Sequence, residues 1–333
     1  MTDPAADCPV IVAWGAGVDS TAMIIELVAR GERIDMVLFA DTGAEKPETL
    51  AFIPIFRAWL AAHGVPSEIV RYAPRRFKNW PAYRTLTENL LTNGTLPGIA
   101  FGRGTCSQKW KAAPQHAWAR NWPPAITAWA AGLKVVKLIG YDAGRADDRR
   151  ARAADALDDP FYAHRYPLRE WGWGREDCVR RIVAEGLPVP PKSACFFCTA
   201  ARPDEIRALP RVLLRQIVLI EARAAPRLRQ VDGLWRKPVL GRRGAEARPG
   251  SMTAFIRAEG LLDADEIEAI IVRAPRSLVR WQAAVAEGVE AGADRPEMAR
   301  WVTVFDAFAG ERDGLDGATG LYAGLGPIRG RAA

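Results

Sequence analysis

The chain predicts an α/β fold, a doubly wound and mainly parallel sheet followed by a helical C-terminal extension, on three observations. Strand-like runs, the first of them rich in β-branched residues, recur at 9–14, 34–39, 68–72 and 134–140, and 161–168 leads to another. Apolar residues at helical spacing occupy 20–30 and 47–63 between the first of these runs, so the order reads β-α-β-α-β, the pattern of a parallel sheet covered by helices. The first two runs also end in turn chemistry, Gly15 and then Asp41-Thr42-Gly43.

The elements follow in order. Pro9 to Trp14 is short, rich in β-branched residues and stopped by glycine, which reads as a buried strand. The helix over 20–30 has Ser20 and Thr21 as cap candidates. Ile34 to Phe39 is the second strand, 47–63 the next helix, and Glu68 to Tyr72 the third strand. Residues 74–105 lose the rhythm, carry Pro, Gly and Asn, and read as an irregular insertion over the sheet. Lys134 to Gly140 and Phe161 to Leu168 resume the strands, and Arg175 to Glu185 is helical. Pro and Cys punctuate 188–203; beyond them 204–224, 264–273 and 275–290 are helical. The expected division is therefore 1–203, an α/β domain including the Cys-x-x-Cys segment, and 204–333, mostly helical, with the Arg- and Gly-rich stretch 236–250 as the linker. No internal repeat is visible.

Of the 333 residues 49% are hydrophobic and 26% charged, which suits a globular protein and argues against extensive disorder. No apolar run approaches the roughly 20 residues of a membrane helix. Residues 1–9 do not read as a secretory signal. The expected compartment is the cytoplasm and no membrane partner is expected. Five cysteines in a chain of this length argue against a disulfide framework and leave thiols for metal or sulfur chemistry. The net charge of +7 fits an RNA or DNA partner, and equally the tolerance of an ATP site.

Gly15-Ala16-Gly17-Val18-Asp19-Ser20-Thr21 lies between a predicted strand and a predicted helix. Small residues there let backbone N–H groups approach a phosphate, the helix dipole favours the anion, and the Ser20 and Thr21 hydroxyls add donors. A tight turn without a ligand is the alternative. The lysine of a Walker loop is missing. The segment instead resembles the Ser-Gly-Gly-x-Asp-Ser pyrophosphate loop (PP-loop) of N-type ATP pyrophosphatases and phosphoadenylyl-sulfate reductases, with Gly17, Asp19 and Ser20 matching and Gly15 and Ala16 in place of serine and glycine. Three further segments strengthen the resemblance and keep the family's order. Asp41-Thr42-Gly43-Ala44-Glu45-Lys46-Pro47-Glu48-Thr49 is similar to the reductase branch's Asp-Thr-Gly-x-x-x-Pro-Glu-Thr signature. Gly140 to Arg145, with Arg149, is similar to its glycine–arginine phosphate-side segment, and Tyr166 to Trp171 with Gly186-Leu187-Pro188 to its Pro-Leu-x-x-Trp segment. The resemblance, to the adenine-nucleotide alpha-hydrolase superfamily, spans about residues 9–200.

That resemblance implies a fold of the HUP/PP-loop type with ATP at the carboxyl ends of the strands. Phosphates would lie on Gly15, Ala16, Gly17, Asp19, Ser20 and Thr21 and on Gly140, Arg145 and Arg149; adenine would lie near Phe39, Asp41 and Thr42. Asp19 and Ser20 are the candidate catalytic residues, with Mg2+ bridging the phosphates and Asp19 an indirect ligand. The plainer reading of Asp19 is a solvated loop acid.

Cys195-Phe196-Phe197-Cys198 can direct two sulfurs to one metal, and Cys106 is the third candidate ligand. Lys109 and Lys111 nearby would favour its thiolate, and its Thr-Cys-x-x-Lys-like setting is similar to one in the reductase-like branch. Three cysteines suit a [4Fe–4S] cluster with one iron open; the resemblance to cluster-dependent thiolation enzymes implies that this iron holds a sulfide. Zinc with a fourth ligand such as His116 is one alternative, and buried apolar cysteines are another. Cys8 and Cys178 read as structural. Trp171 and Trp173 favour packing over base stacking. Trp80 and Tyr83 beside Arg75, Arg76 and Lys78, and separately Arg242, Arg243 and Arg248, are basic stretches suited to a polyanion or simply to solvent.

The function expected from all this is an ATP-dependent, adenylating sulfur-transfer or related modification enzyme, with ATP and a sulfur donor as partners. Its rivals are an adenylyl-sulfate or phosphoadenylyl-sulfate reductase, disfavoured because no cysteine follows Cys198, and a non-catalytic nucleotide- or nucleic-acid-binding subunit of a modification or defence complex.

Overall fold

The computed structural model describes residues 8–74, 76–77, 79, 82–98, 105–155, 158–241 and 246–287. The chain forms two compact units: residues 1–73 with 107–194, and residues 74–106 with 195–333.

The first unit is the predicted α/β fold. Its five strands are β1 (Val10–Trp14), β2 (Met36–Asp41), β3 (Ser67–Arg71), β4 (Val135–Ile139) and β5 (Tyr162–Arg165). They form one sheet in the order β3-β2-β1-β4-β5, and every pairing is parallel. The apolar runs are apolar on both sides because both faces are covered. On one face Val12, Trp14, Val37, Phe39 and Leu138 pack with α1 (Val18–Ala29), α2 (Pro47–Ala62) and the helix Arg175–Ala184. On the other, Ile11, Leu38, Val70, Val135 and Tyr162 pack with Ala119 and Ala125. The strand order reverses at β1: the chain moves one way to β2 and β3, then returns to the other side for β4 and β5. The carboxyl ends of β1 and β4 therefore flank the crevice in which open α/β sheets take their ligands.

In the second unit a long helix, Arg211–Ala224, is the scaffold, and of its three buried charged residues, Arg215, Glu221 and Arg223, the last two organise the neighbours. Glu221 accepts hydrogen bonds from the backbone N–H groups of Leu234 (2.7 Å), Met252 (2.9 Å) and Thr253 (2.9 Å) and from the Ser251 hydroxyl (2.6 Å). Arg223 donates to the carbonyls of Leu91 and Pro275 and lies 4.4 Å over the Trp281 ring. Glu221 is thus satisfied at both oxygens, whereas burial still lowers the pKa of Arg223 to about 9.

Three local expectations change. Within the stretch 74–105, irregular by sequence, Leu86–Asn93 is a helix with a reciprocal capping box between Thr85 and Glu88. The helix expected over 204–224 is two, Pro203–Arg207 and Arg211–Ala224, because Pro210 cannot continue the first and caps the second. The expected linker 236–250 has its described ends tied together by paired Val239 and Arg248 backbone bonds, inside the second unit. Among the described residues no helix is long and apolar enough to cross a membrane.

Candidate functional site

The loop after β1 is closed by its own residues. The Gly15 N–H donates to Ser20 Oγ at 3.1 Å, and that hydroxyl reaches the Gly17 carbonyl at 3.4 Å. Gly17 is the N-cap of α1 and supplies no side-chain cap, so the first-turn N–H groups carry the helix's positive end without a side-chain acceptor. Ala16, buried, has φ 53°, a left-handed conformation that costs a non-glycine residue roughly 1–2 kcal/mol. A side-chain carbon at Gly17 would meet Ser193 Oγ at 2.8 Å. One at Gly140, just past β4, would meet the Ser20 Cα at 2.7 Å and its N at 2.8 Å. Only glycine lets the end of β4 pass this close to the first turn of α1.

Asp19 is salt-bridged: both of its carboxylate oxygens lie within 3.0 Å of Arg175 Nη1. Burial raises its pKa, Arg175 opposes the rise, and the neighbouring charges of Asp142 and Asp147 add to it. Thr21 is fully buried, its hydroxyl accepting from the Trp14 indole at 3.0 Å, so its side chain faces the core. Arg145 opens the helix Arg145–Asp155 and is exposed. The side chain of Arg149 lies outside the described residues, as do Arg75, Lys78, Trp80, Arg242 and Arg243. Trp171 and Trp173 pack against each other and against the core, with Arg30 over Trp171 at 4.4 Å.

At the end of β2, Phe39 is core, packed on Trp14 at 5.5 Å. Asp41 accepts from the Gly43 N–H at 2.8 Å and pairs with Arg71 at 2.7 Å. The Thr42 hydroxyl donates to Glu45 Oε1 at 2.9 Å. Burial pushes the Glu45 carboxyl up, against the pull of Lys111.

The three candidate cysteines all belong to the second unit. A turn with Cys198 N–H donating to the Cys195 carbonyl at 2.9 Å folds that pair back on itself. Cys106 and Cys198 are close enough for their charges to interact. The Cys106 thiol is pushed up, first by burial and then by Cys198, while Arg236 and the Gly98 N–H pull it down. That direction is opposite to the thiolate expected from Lys109 and Lys111. In the first unit Lys109 lies 5.0 Å over the rings of both Tyr72 and Trp110, and Lys111 acts on Glu45. Arg236, at φ 66°, donates to the Gly98 carbonyl at 2.7 Å, so Gly98 touches Arg236 through its carbonyl and Cys106 through its N–H. The soft thiol set suits an iron–sulfur cluster or zinc, yet among the described residues no three His, Cys, Asp or Glu side chains form a closed metal-binding group. His116, the candidate fourth zinc ligand, belongs to the first unit, where its Nδ1 lies 3.1 Å from the Tyr162 hydroxyl. Cys178 is fully buried and its thiol is pushed up to about 12, mainly by burial, as befits a structural residue.

Arg175, Glu45 and Arg236 are the site residues that sequence reasoning missed. Glu45 stands inside a segment already singled out at 41–49, which was the one available signal; Arg175 and Arg236 announce nothing locally. Compared with models of known protein families the chain matches none, and a comparison with curated proteins also returns no match.

Proposed function

We propose that the chain is an ATP-using enzyme that adenylates an oxygen of its substrate and so prepares the carbon bearing it for replacement by sulfur. What supports this most is one juxtaposition: the uncapped start of α1 and the Gly140 turn meet at the crevice where the strand order reverses. There the backbone N–H groups of the first turn and the Ser20 hydroxyl would hold the phosphates. Asp19 would release Arg175 to serve Mg2+ or its water shell, and the freed guanidinium would face the phosphates.

In the first step the substrate oxygen bonds to the α-phosphorus as the bond to pyrophosphate breaks, and the helix start and Mg2+ stabilise the charge leaving on pyrophosphate. In the second, a sulfide-level donor forms a C–S bond while the C–O bond to AMP breaks. Cys106, Cys195 and Cys198 are the residues that would hold a [4Fe–4S] cluster, which when bound would supply a site for that sulfide; Arg236, through Gly98, would set the charge around Cys106. Zinc on the same thiols is the alternative. The acceptor is a nucleobase of RNA or DNA, or a small molecule.

Calorimetry with ATP and Mg2+ tests the first half: Asp19→Ala combined with Ser20→Ala should abolish binding in a folded chain. Unchanged affinity in that double variant sinks the nucleotide site. Pyrophosphate release over many turnovers separates an enzyme from a non-catalytic binder.

A further inference from the structure

Glu45 and Thr49 are buried by the fold in the segment that follows β2, and each is left with an unsatisfied polar atom. Glu45 is 3% exposed and Thr49 is completely buried. Glu45 Oε1 takes the Thr42 hydroxyl, but neither Glu45 Oε2 nor Thr49 Oγ1 has a hydrogen-bond partner. Lys111 and Lys46 attract the carboxylate and Asp41 repels it, yet none of them supplies a hydrogen bond to Oε2. Native folds satisfy nearly all such atoms, and an orphaned carboxyl oxygen calls for an explanation. The two atoms stand four residues apart across the start of α2. They follow Asp41, the last residue of a central parallel strand, on the side of the sheet's carboxyl ends. Two buried groups of this one segment are thus left with hydrogen-bonding capacity unused.

From this we infer that Glu45 and Thr49 recognise the nucleoside, with Glu45 Oε2 accepting a hydrogen bond from a donor of the bound adenine nucleoside and the Thr49 hydroxyl completing the contact. The donor is either the exocyclic amine of the base or a ribose hydroxyl. The inference rests on the nucleotide reading above and deepens it. A ligand lacking that donor leaves a buried carboxyl unpaired, so the subsite rejects analogues by what they lack.

The experiment is calorimetry of the full chain with ATP, with ITP (a 6-oxo group in place of the amine), and with 2′-deoxyATP and 3′-deoxyATP. The wild-type chain should bind ATP about ten- to a hundredfold more tightly than one of the three, and which one identifies the donor. Glu45→Met, linear and apolar, should narrow that gap to about threefold or less while far-UV circular dichroism is unchanged. Thr49→Val, an apolar isostere, should narrow the same gap and carries the test if Glu45→Met does not fold. Wild-type binding of all four nucleotides within about threefold overturns the inference alone. So do folded variants that keep the wild-type ratio. A wild-type chain that binds none of the four overturns the nucleotide reading and this inference with it.

Discussion

Replacing Lys137 by methionine should stabilise the protein, although lysine is native there. Lys137 lies in the middle of β4 and is buried, its ammonium 5.0 Å from the Tyr162 ring. Burial lowers its pKa from the usual 10.5 to about 8, and the charge of Asp159 only partly offsets this. At about 1.36 kcal/mol for each pH unit, carrying the ammonium at pH 7 costs the fold roughly 3 kcal/mol. Methionine removes that cost and keeps the linear stem, while losing a cation–π contact worth about 1 kcal/mol. A net gain of about 1–3 kcal/mol at pH 7 is expected. The sign of the pH dependence follows from proton counts. Between the folded value near 8 and the unfolded value near 10.5, the unfolded chain holds more protons, so wild-type stability rises with pH across that window. Below it both states are charged and the penalty is constant. Tyr162 does not confuse the window, since burial raises its hydroxyl well above the ordinary value of 10. Urea unfolding of both proteins at pH 7, 8, 9 and 10 checks this. The advantage of Lys137→Met should be largest at pH 7 and shrink toward pH 10. A variant less stable at pH 7, or an advantage that does not change with pH, refutes the reasoning.

Two further outcomes test the candidate sites. Gly140→Ala would drive a methyl into the Ser20 backbone, which now lies 2.7 Å from where that carbon would sit; it should cost about 1–3 kcal/mol and weaken ATP binding at least tenfold, and an unchanged melting temperature and affinity would remove the close approach. Anaerobically purified protein should be brown with about four irons per chain, and Cys106→Ser, Cys195→Ser and Cys198→Ser should each lower the iron; a colourless protein with zinc supports the zinc alternative instead.

The sheet was legible because its signal is local. Four of the expected runs became strands within two residues; the fifth, 161–168, gave the strand Tyr162–Arg165 and then a helical turn, Pro167–Glu170, where proline starts a helix, and the alternation with helices implied parallel pairing, since each crossover must cover a face. The turn at Gly15 and the position of Gly140 were equally readable, because strand ends and glycines declare themselves in sequence. Helical periodicity also marked the last helices, although Pro210 divided one of them.

What the tertiary structure alone decided is which distant residues meet. Asp19 and Arg175 are far apart in sequence, and nothing near either announces the ion pair that occupies the acid of the loop after β1. Thr21 looked like a phosphate donor until packing against Trp14 turned its hydroxyl inward. Glu45 stands in sequence at an unspecified position of the 41–49 segment; only the packing around the start of α2 buries it and leaves an oxygen unsatisfied. Residues 74–106 cluster with the C-terminal unit, carrying Cys106 into the unit of Cys195 and Cys198, and no periodicity records that choice. Sequence determines periodicity, caps and turns because these are set within a few residues, whereas burial and charge pairing depend on chain neighbours brought together only by the fold.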